Sequence, residues 1–198
     1  NVLHLPWAGS RGTIDIKTFR TAILQPIFEE IGRRHLEKQI DYIVYSSGFP
    51  YAVNYSADIP SPLPKESGSV GSLTGLTFLH SRVRRPNASY AFSVNAPQSN
   101  FYYGTSTRGF RSVYGWDRQG RRVGGRGESY YLSLMLGYTD GRGNSVDEVI
   151  NYLQRAALAD CTRPRGTIYL MKIDGEVRSQ TRHDAFPMVA GALQQMGV

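Results

Sequence analysis

Five titratable side chains crowd into one short stretch, Asp174, Glu176, Arg178, Arg182 and His183, directly after the apolar run GTIYLMKI. Carboxylates, guanidiniums and an imidazole so close together are the materials of acid–base chemistry or of anion binding. Two further groups belong with them if the fold brings the segments to one edge. Ser46 or Ser47, at the end of the run IDYIVYSS, would complete a Ser–His–Asp set with His183 and Asp174 or Asp184. The loop Asp140, Gly141, Arg142, Gly143, Asn144, Ser145 opens onto a helix start, where free backbone N–H groups favour an anion, with Arg182 as an additional cation. Its spacing matches neither a Walker loop nor a dinucleotide fingerprint. Asp140, Asp174 and Asp184 would hold a divalent ion only on converging loops. The competing reading of the same knot is purely structural, with Thr181 as an N-cap and Asp184 as a first-turn acid of the following helix.

Other chemistries are excluded by residue type and place. Cys161 is the only cysteine, so it makes no internal disulfide and no cysteine metal site. It falls after a helix and before a strand, at the opposite end from every candidate loop, which argues against a thiol nucleophile. His4, His35, His80 and His183 show no ligand spacing, so neither a metal nor a cofactor is expected. His80 sits on an apolar helix face and reads as a core or boundary histidine.

The elements that would position these groups follow from periodicity. Val2 to Leu5 is a short apolar run. Asp15 is an N-cap for a helix whose Ile16, Phe19, Ile23, Ile27 and Ile31 recur every three or four residues. Pro26 should kink or divide that helix, and Gly32, Arg33 and Arg34 suit its C-terminal end. A strand over residues 40–47 completes a βαβ unit. A helix is expected over residues 70–83, a hairpin in WDRQGRRV around Asp117 and Gly120, and a strand covered on both faces in YYLSLMLGY, residues 130–138. Ser145 and Glu148 form a capping box before a helix that would bury Val146, Val149, Ile150, Leu153 and Ala157. The strand 166–173 closes a second βαβ unit, and a last helix carries Phe186, Val189, Ala190 and Leu193. The expected fold is a single α/β domain over residues 1–198, three-layered, with a mainly parallel sheet whose strands near 2–5, 40–46, 130–138 and 166–173 adjoin. Ligands in such sheets bind at the C-terminal strand ends, where the candidate loops lie.

At 198 residues and 40% hydrophobic, the chain can bury one core. No window approaches the roughly eighteen apolar residues of a membrane span. The net charge of +7 is local: from Arg82 to Arg126 there are nine arginines, no lysine and one acid, Asp117. Tyr90, Phe92, Phe101, Tyr102, Tyr103, Phe110, Tyr114 and Trp116 are interleaved with them. Residues 84–129 therefore read as an elaborated loop or hairpin insertion. Tyr, Trp and Arg make interface anchors, and Arg with aromatics also suits single-stranded nucleic acid.

The run YYLSLMLGYTDGRGNSVDEVINYLQRAALADCTRPRGTIYL, with IDYIVYSSGFP and GSLTGLTFL before it and EVRSQTR after it, resembles an uncharacterised family of bacterial exported proteins of unknown function. The resemblance covers nearly the whole chain. It implies an extracytoplasmic, cell-envelope setting and an internal piece of a longer chain, with an exposed apolar sheet edge or a partner segment filling it. It carries over no catalytic residue. The function expected from these observations is a binding or assembly module with a protein partner or self-association and room for a small anionic ligand; the alternative is a hydrolase-like enzyme working at the strand ends, and a further alternative is nucleic-acid binding through the arginine-rich loop.

Overall fold

The computed structural model describes residues 2–59, 68–91, 111–117, 121–124, 127–137, 139, 144–158, 168–170 and 183–197. The chain divides into two compact units, Asn1–Asn151 and Tyr152–Val198. Helices and strands are mixed, and the sheets are small.

In the first unit, Asp15 caps the long helix as its short side chain demands: Oδ1 accepts from the Thr18 N–H at 2.9 Å and Oδ2 from the Thr18 hydroxyl at 2.6 Å. The helix runs as α1 (Ile16–Thr18), a π-helical segment (Phe19–Leu24) and α2 (Gln25–Arg33). The π segment ends at Leu24, two residues before Pro26. In a regular α-helix the proline ring would collide with the carbonyl four residues back, and the wider turn relieves that clash. The buried side chains Phe19, Ile23, Ile27 and Ile31 are spaced by four throughout, a spacing that drifts about 40° per step around an α-helix. The π turn takes up that drift and keeps the stripe on the core.

The helix ends in a Schellman arrangement, with His35 N–H bonded to the Gly32 carbonyl at 3.0 Å and Leu36 N–H to the Ile31 carbonyl at 3.0 Å. The left-handed residue is His35, with φ 52°, rather than the Gly32 that the sequence suggested.

Residues 2–5 form no strand, which corrects the expectation for that run. The strand before the helix is β1 (Thr13–Asp15). It pairs in parallel with β3 (Ala52–Asn54), which pairs antiparallel with β4 (Val70–Ser72), giving a mixed sheet in the order β1-β3-β4. β2 (Tyr42–Tyr45) pairs in parallel with β7 (Leu132–Met135), Tyr42 opposite Leu132 and Tyr45 opposite Met135. Here the expected adjacency of residues 40–46 and 130–138 holds. Ile14 and Val53 of the first sheet and Ile43 and Tyr45 of the second share one buried cluster with Phe19, Ile23, Ile27 and Ile31 of the long helix, together with Leu73, Leu76 and Val83.

The expected helix over 70–83 begins as strand β4 and then breaks into α3 (Leu73–Phe78) and α4 (His80–Val83). Ser72 caps α3 through the Gly75 N–H at 3.0 Å. Tyr45, from β2, reaches α3 with its hydroxyl 2.8 Å from Thr77 Oγ1, and Thr77 in turn donates to the Leu73 carbonyl.

The β2–β7 pair is apolar on both faces but covered on one. Ile43 and Tyr45 are buried, whereas Tyr42 (58%), Val44 (48%), Leu134 (41%) and Leu136 (40%) are exposed. The continuous apolar run of β7 predicted cover on both sides.

The expected hairpin is present: β5 (Gly115–Trp116) pairs antiparallel with β6 (Arg122–Gly124), and Asp117 bonds Arg121 through backbone and side chain. The capping box is present too, Ser145 N–H donating to Glu148 at 2.7 Å and Glu148 N–H to Ser145 Oγ at 3.2 Å. The helix it starts, α5 (Val146–Leu158), has no buried residue. Its predicted buried face is a correction: Val146 and Ile150 are exposed, because periodicity establishes an apolar stripe and not what covers it.

In the second unit α6 (Phe186–Gln195) is the last helix, as expected, and also has no buried residue. The expected strand over 166–173 lies outside the described residues except for 168–170, which carry no strand.

Candidate functional site

The residues singled out from the sequence divide sharply. Asp140, Gly141, Arg142, Gly143, Asp174, Arg178 and Arg182 lie outside the described residues. Asn144 and Ser145 are exposed at the start of α5, where the Ser145 hydroxyl accepts from the Glu148 N–H. Ser46 is exposed and Ser47 half-buried in the turn after β2. Among the described residues of the first unit, neither hydroxyl hydrogen-bonds a histidine or a carboxylate. His183, in the second unit, is half-buried with its ring centroid 5.4 Å from that of Phe186, and its Nε2 is sealed without a hydrogen-bonding partner among the described residues. No cluster of three His, Cys, Asp or Glu side chains suited to a metal occurs among the described residues.

The structure places its clearest site elsewhere, around His80. This histidine opens α4 and is 6% exposed, as its place on the apolar helix face predicted. Its ring stacks on Phe28 of α2, centroids 4.5 Å apart and planes 16° from parallel. Tyr131, just before β7, meets both rings edgewise, at 5.3 Å from His80 and 5.4 Å from Phe28. Three elements distant in sequence thus build one aromatic wall.

Burial drives the His80 pKa down to about 4, and the nearby positive Arg84 pushes the same way; the Phe78 and Thr77 carbonyls oppose them only weakly. The ring is neutral at physiological pH. Its Nδ1 is sealed from solvent without a hydrogen-bonding partner among the described residues. Burial raises the Tyr131 pKa, helped by the negative charges of Glu37 and Asp41.

A cavity of about 520 Å³ opens against this wall. Its rim carries Glu37, Lys38 and Arg84. Its far side is the insertion: Ser112, Val113, Gly115, Gly127 and Ser129. That far side is pinned at both ends. Arg111 bonds Asp41 at 3.0 Å and the Lys38 carbonyl at 3.0 Å, and the Ser112 N–H donates to Asp41 Oδ1 at 2.8 Å. Arg82 grips Glu128 with Nε and Nη2 at 2.9–3.0 Å, while Glu128 exchanges two backbone bonds with Trp116. At Gly115 and Gly127 the facing backbones touch, and a Cβ at either would collide with main-chain atoms opposite.

Several of the described arginines in and beside the insertion are engaged by the protein itself. Arg82, Arg111 and Arg121 pair with Glu128, Asp41 and Asp117. Arg122 lies over the Tyr114 ring at 3.4 Å. Arg84 lies over Phe28 at 5.1 Å, has no carboxylate partner among the described residues, and also lines a second cavity of about 260 Å³ with Arg20, Leu24, Gln25 and Glu29.

Behind the site, Arg20 of the π segment forms a clamp. It bonds both oxygens of Asp58, the Val83 carbonyl at 2.6 Å and the Arg85 carbonyl at 3.1 Å, and Tyr90 donates to the same Asp58. Burial works to raise the Asp58 pKa, but the bonds from Arg20 and Tyr90 override it and hold the carboxyl below the ordinary range. The clamp holds the carbonyls of Val83 and Arg85, on either side of Arg84, where α4 passes into the insertion.

Sequence reasoning placed His80 in the core but missed the cavity, because Phe28, His80 and Tyr131 meet only through tertiary packing. The local signal was the glycine-rich GGRGES, which marks the close backbone approach on the far side. Compared with protein-family models, curated proteins and solved structures, the chain matches none. No helix among the described residues is long and apolar enough to cross a membrane.

Proposed function

We propose that the protein is a binding or assembly module of the bacterial cell envelope, organised as a three-layer, mainly parallel α/β domain with the insertion 84–129 as its recognition element. The observation that carries this reading is the cavity beside His80, one side of which is made by the insertion and the other by the domain core. A segment pinned through Arg82 and Arg111 so as to border an open cavity, rather than to fill it, leaves room for a ligand. The exposed Tyr42, Val44, Leu134 and Leu136 support the assembly half of the proposal, since a parallel strand pair is normally covered on both faces.

The other two functions have less behind them. Hydrolysis at the strand ends would draw on Ser46, Ser47, Asp140, Asp174, Arg178 and His183, and the two serines have no activating partner among the described residues of the first unit. Nucleic-acid binding would need free arginines, and among the described residues Arg82, Arg111 and Arg121 are already paired.

A thermal-shift screen tests the module. Small acids, alcohols, sugars and nucleosides are added to the wild type and to Ser129→Phe, whose new ring occupies the cavity. At least one class should raise the midpoint with concentration in the wild type only, by about 2.7 kcal/mol of stability at a hundredfold excess over Kd. Absence of any shift overturns small-ligand binding, and tight, salt-sensitive binding of a single-stranded oligonucleotide in a parallel anisotropy titration overturns the module in favour of nucleic acid.

A further inference from the structure

Resting on the reading of the cavity as the module's binding site, we infer that its ligand is a small planar aromatic carboxylate, with the ring against Phe28, His80 and Tyr131 and the carboxylate on the Arg84 guanidinium. The size fits, since cavities for small molecules run from about 300 to 1,000 Å³. Phe28 and His80 are stacked on each other, with Arg84 also over Phe28, so the rings offer the cavity their edges beside Tyr131; ring edges set against a ligand's π face favour a planar aromatic over a saturated ring.

The charge at the rim selects the rest of the ligand. Lys38 and Arg84 against Glu37 leave a single excess positive charge, which matches a monoanion and not a polyphosphate. Arg84 alone among these has a planar fork, stands over the Phe28 ring, and has no carboxylate partner among the described residues. Neutral His80 contributes its ring without a competing hydration demand. A charged imidazole at that place would hold a shell of water and split the anion's attention between two cations. The unpartnered, sealed Nδ1 shows that the fold tolerates a buried polar atom at this position, and an apolar side chain there would have been cheaper for a purely structural core.

Titration calorimetry on the full chain tests the ligand class with four probes: benzoate, its neutral isostere benzamide, the saturated cyclohexanecarboxylate, and inorganic phosphate. Benzoate should bind best, with benzamide and cyclohexanecarboxylate each roughly tenfold weaker or worse and phosphate weaker still. Arg84→Gln should weaken benzoate by roughly tenfold or more and leave benzamide unchanged, while Ser129→Phe abolishes binding of all four. Equal affinity for benzoate and benzamide, or an Arg84→Gln variant that binds benzoate as the wild type does, overturns the carboxylate and leaves the cavity standing. Phosphate binding as tightly as benzoate overturns the aromatic ligand in the same way. If no probe binds and the screen of small molecules also fails, the cavity reading falls with the inference.

Discussion

Acidification should destabilise this protein before its carboxylates titrate, and His80 is the reason. The folded-state pKa lies at about 4 against an ordinary 6.5, so between those values the unfolded chain binds more protons than the folded one. Stability is full above pH 6.5 and falls as the pH drops toward 4. At about 1.36 kcal/mol per pH unit, the loss from this one residue approaches about 3 kcal/mol. The charge of Arg84 makes the buried ring still less willing to charge, and the other charged residues lining the cavity are Glu37 and Lys38. The control is His80→Phe, which keeps the stack on Phe28 and removes both the titration and the unpartnered Nδ1. At neutral pH the variant should match or exceed the wild type. Urea unfolding of both proteins at several pH values measures the difference. Asp15, Asp58, Glu30 and Glu148, all held below their ordinary pKa values, lose their contributions in both proteins at lower pH and cancel. Parallel stability profiles for wild type and His80→Phe from pH 6.5 to 4 would refute the buried, neutral histidine.

Three further outcomes follow from the geometry. Asp58→Asn leaves Arg20 facing two carbonyls without its counter-charge and should cost about 3 kcal/mol in chemical denaturation, whereas Glu30→Gln on the exposed helix surface should cost nothing measurable. His35→Gly removes a side chain from a left-handed position and should raise stability by about 1 kcal/mol, seen as a higher urea midpoint at unchanged slope. Leu134→Lys, on the uncovered face of β7, should leave the melting temperature unchanged and abolish concentration-dependent association in sedimentation velocity; a wild type that stays monomeric through the high micromolar range refutes self-association there.

Signals confined to one turn of chain were readable in advance. Asp15 before its helix, Ser145 with Glu148, and Asp117 at the hairpin each act across three or four residues, and each is found as expected. What depended on a distant partner was not readable. The run at residues 2–5 looks as strand-like as Thr13–Asp15, but only the latter meets Ala52–Asn54. Val146 and Ile150 are spaced for burial on α5 and remain exposed. His80 was legible as a buried residue from its neighbours on one helix, yet Phe28 and Tyr131, each about fifty residues away, had no signature that tied them to it.

The π segment before Pro26 also separates two properties that a regular helix binds together, its length and its rotational phase. In a plain α-helix each residue added or removed turns everything beyond it by about 100° and moves it by about 1.5 Å. Here the wide turn between Phe19 and Gln25 holds one residue in reserve. A chain one residue shorter in that interval would close into ordinary α-helix with almost the same reach and the same phase beyond it, so Phe28 would keep its place against His80. The change would fall on the residues inside the segment, where Arg20 makes its clamp on Asp58. The spare residue thus separates the clamp from the aromatic stack, and a single insertion or deletion in the gene could remodel the one without dismantling the other or the core.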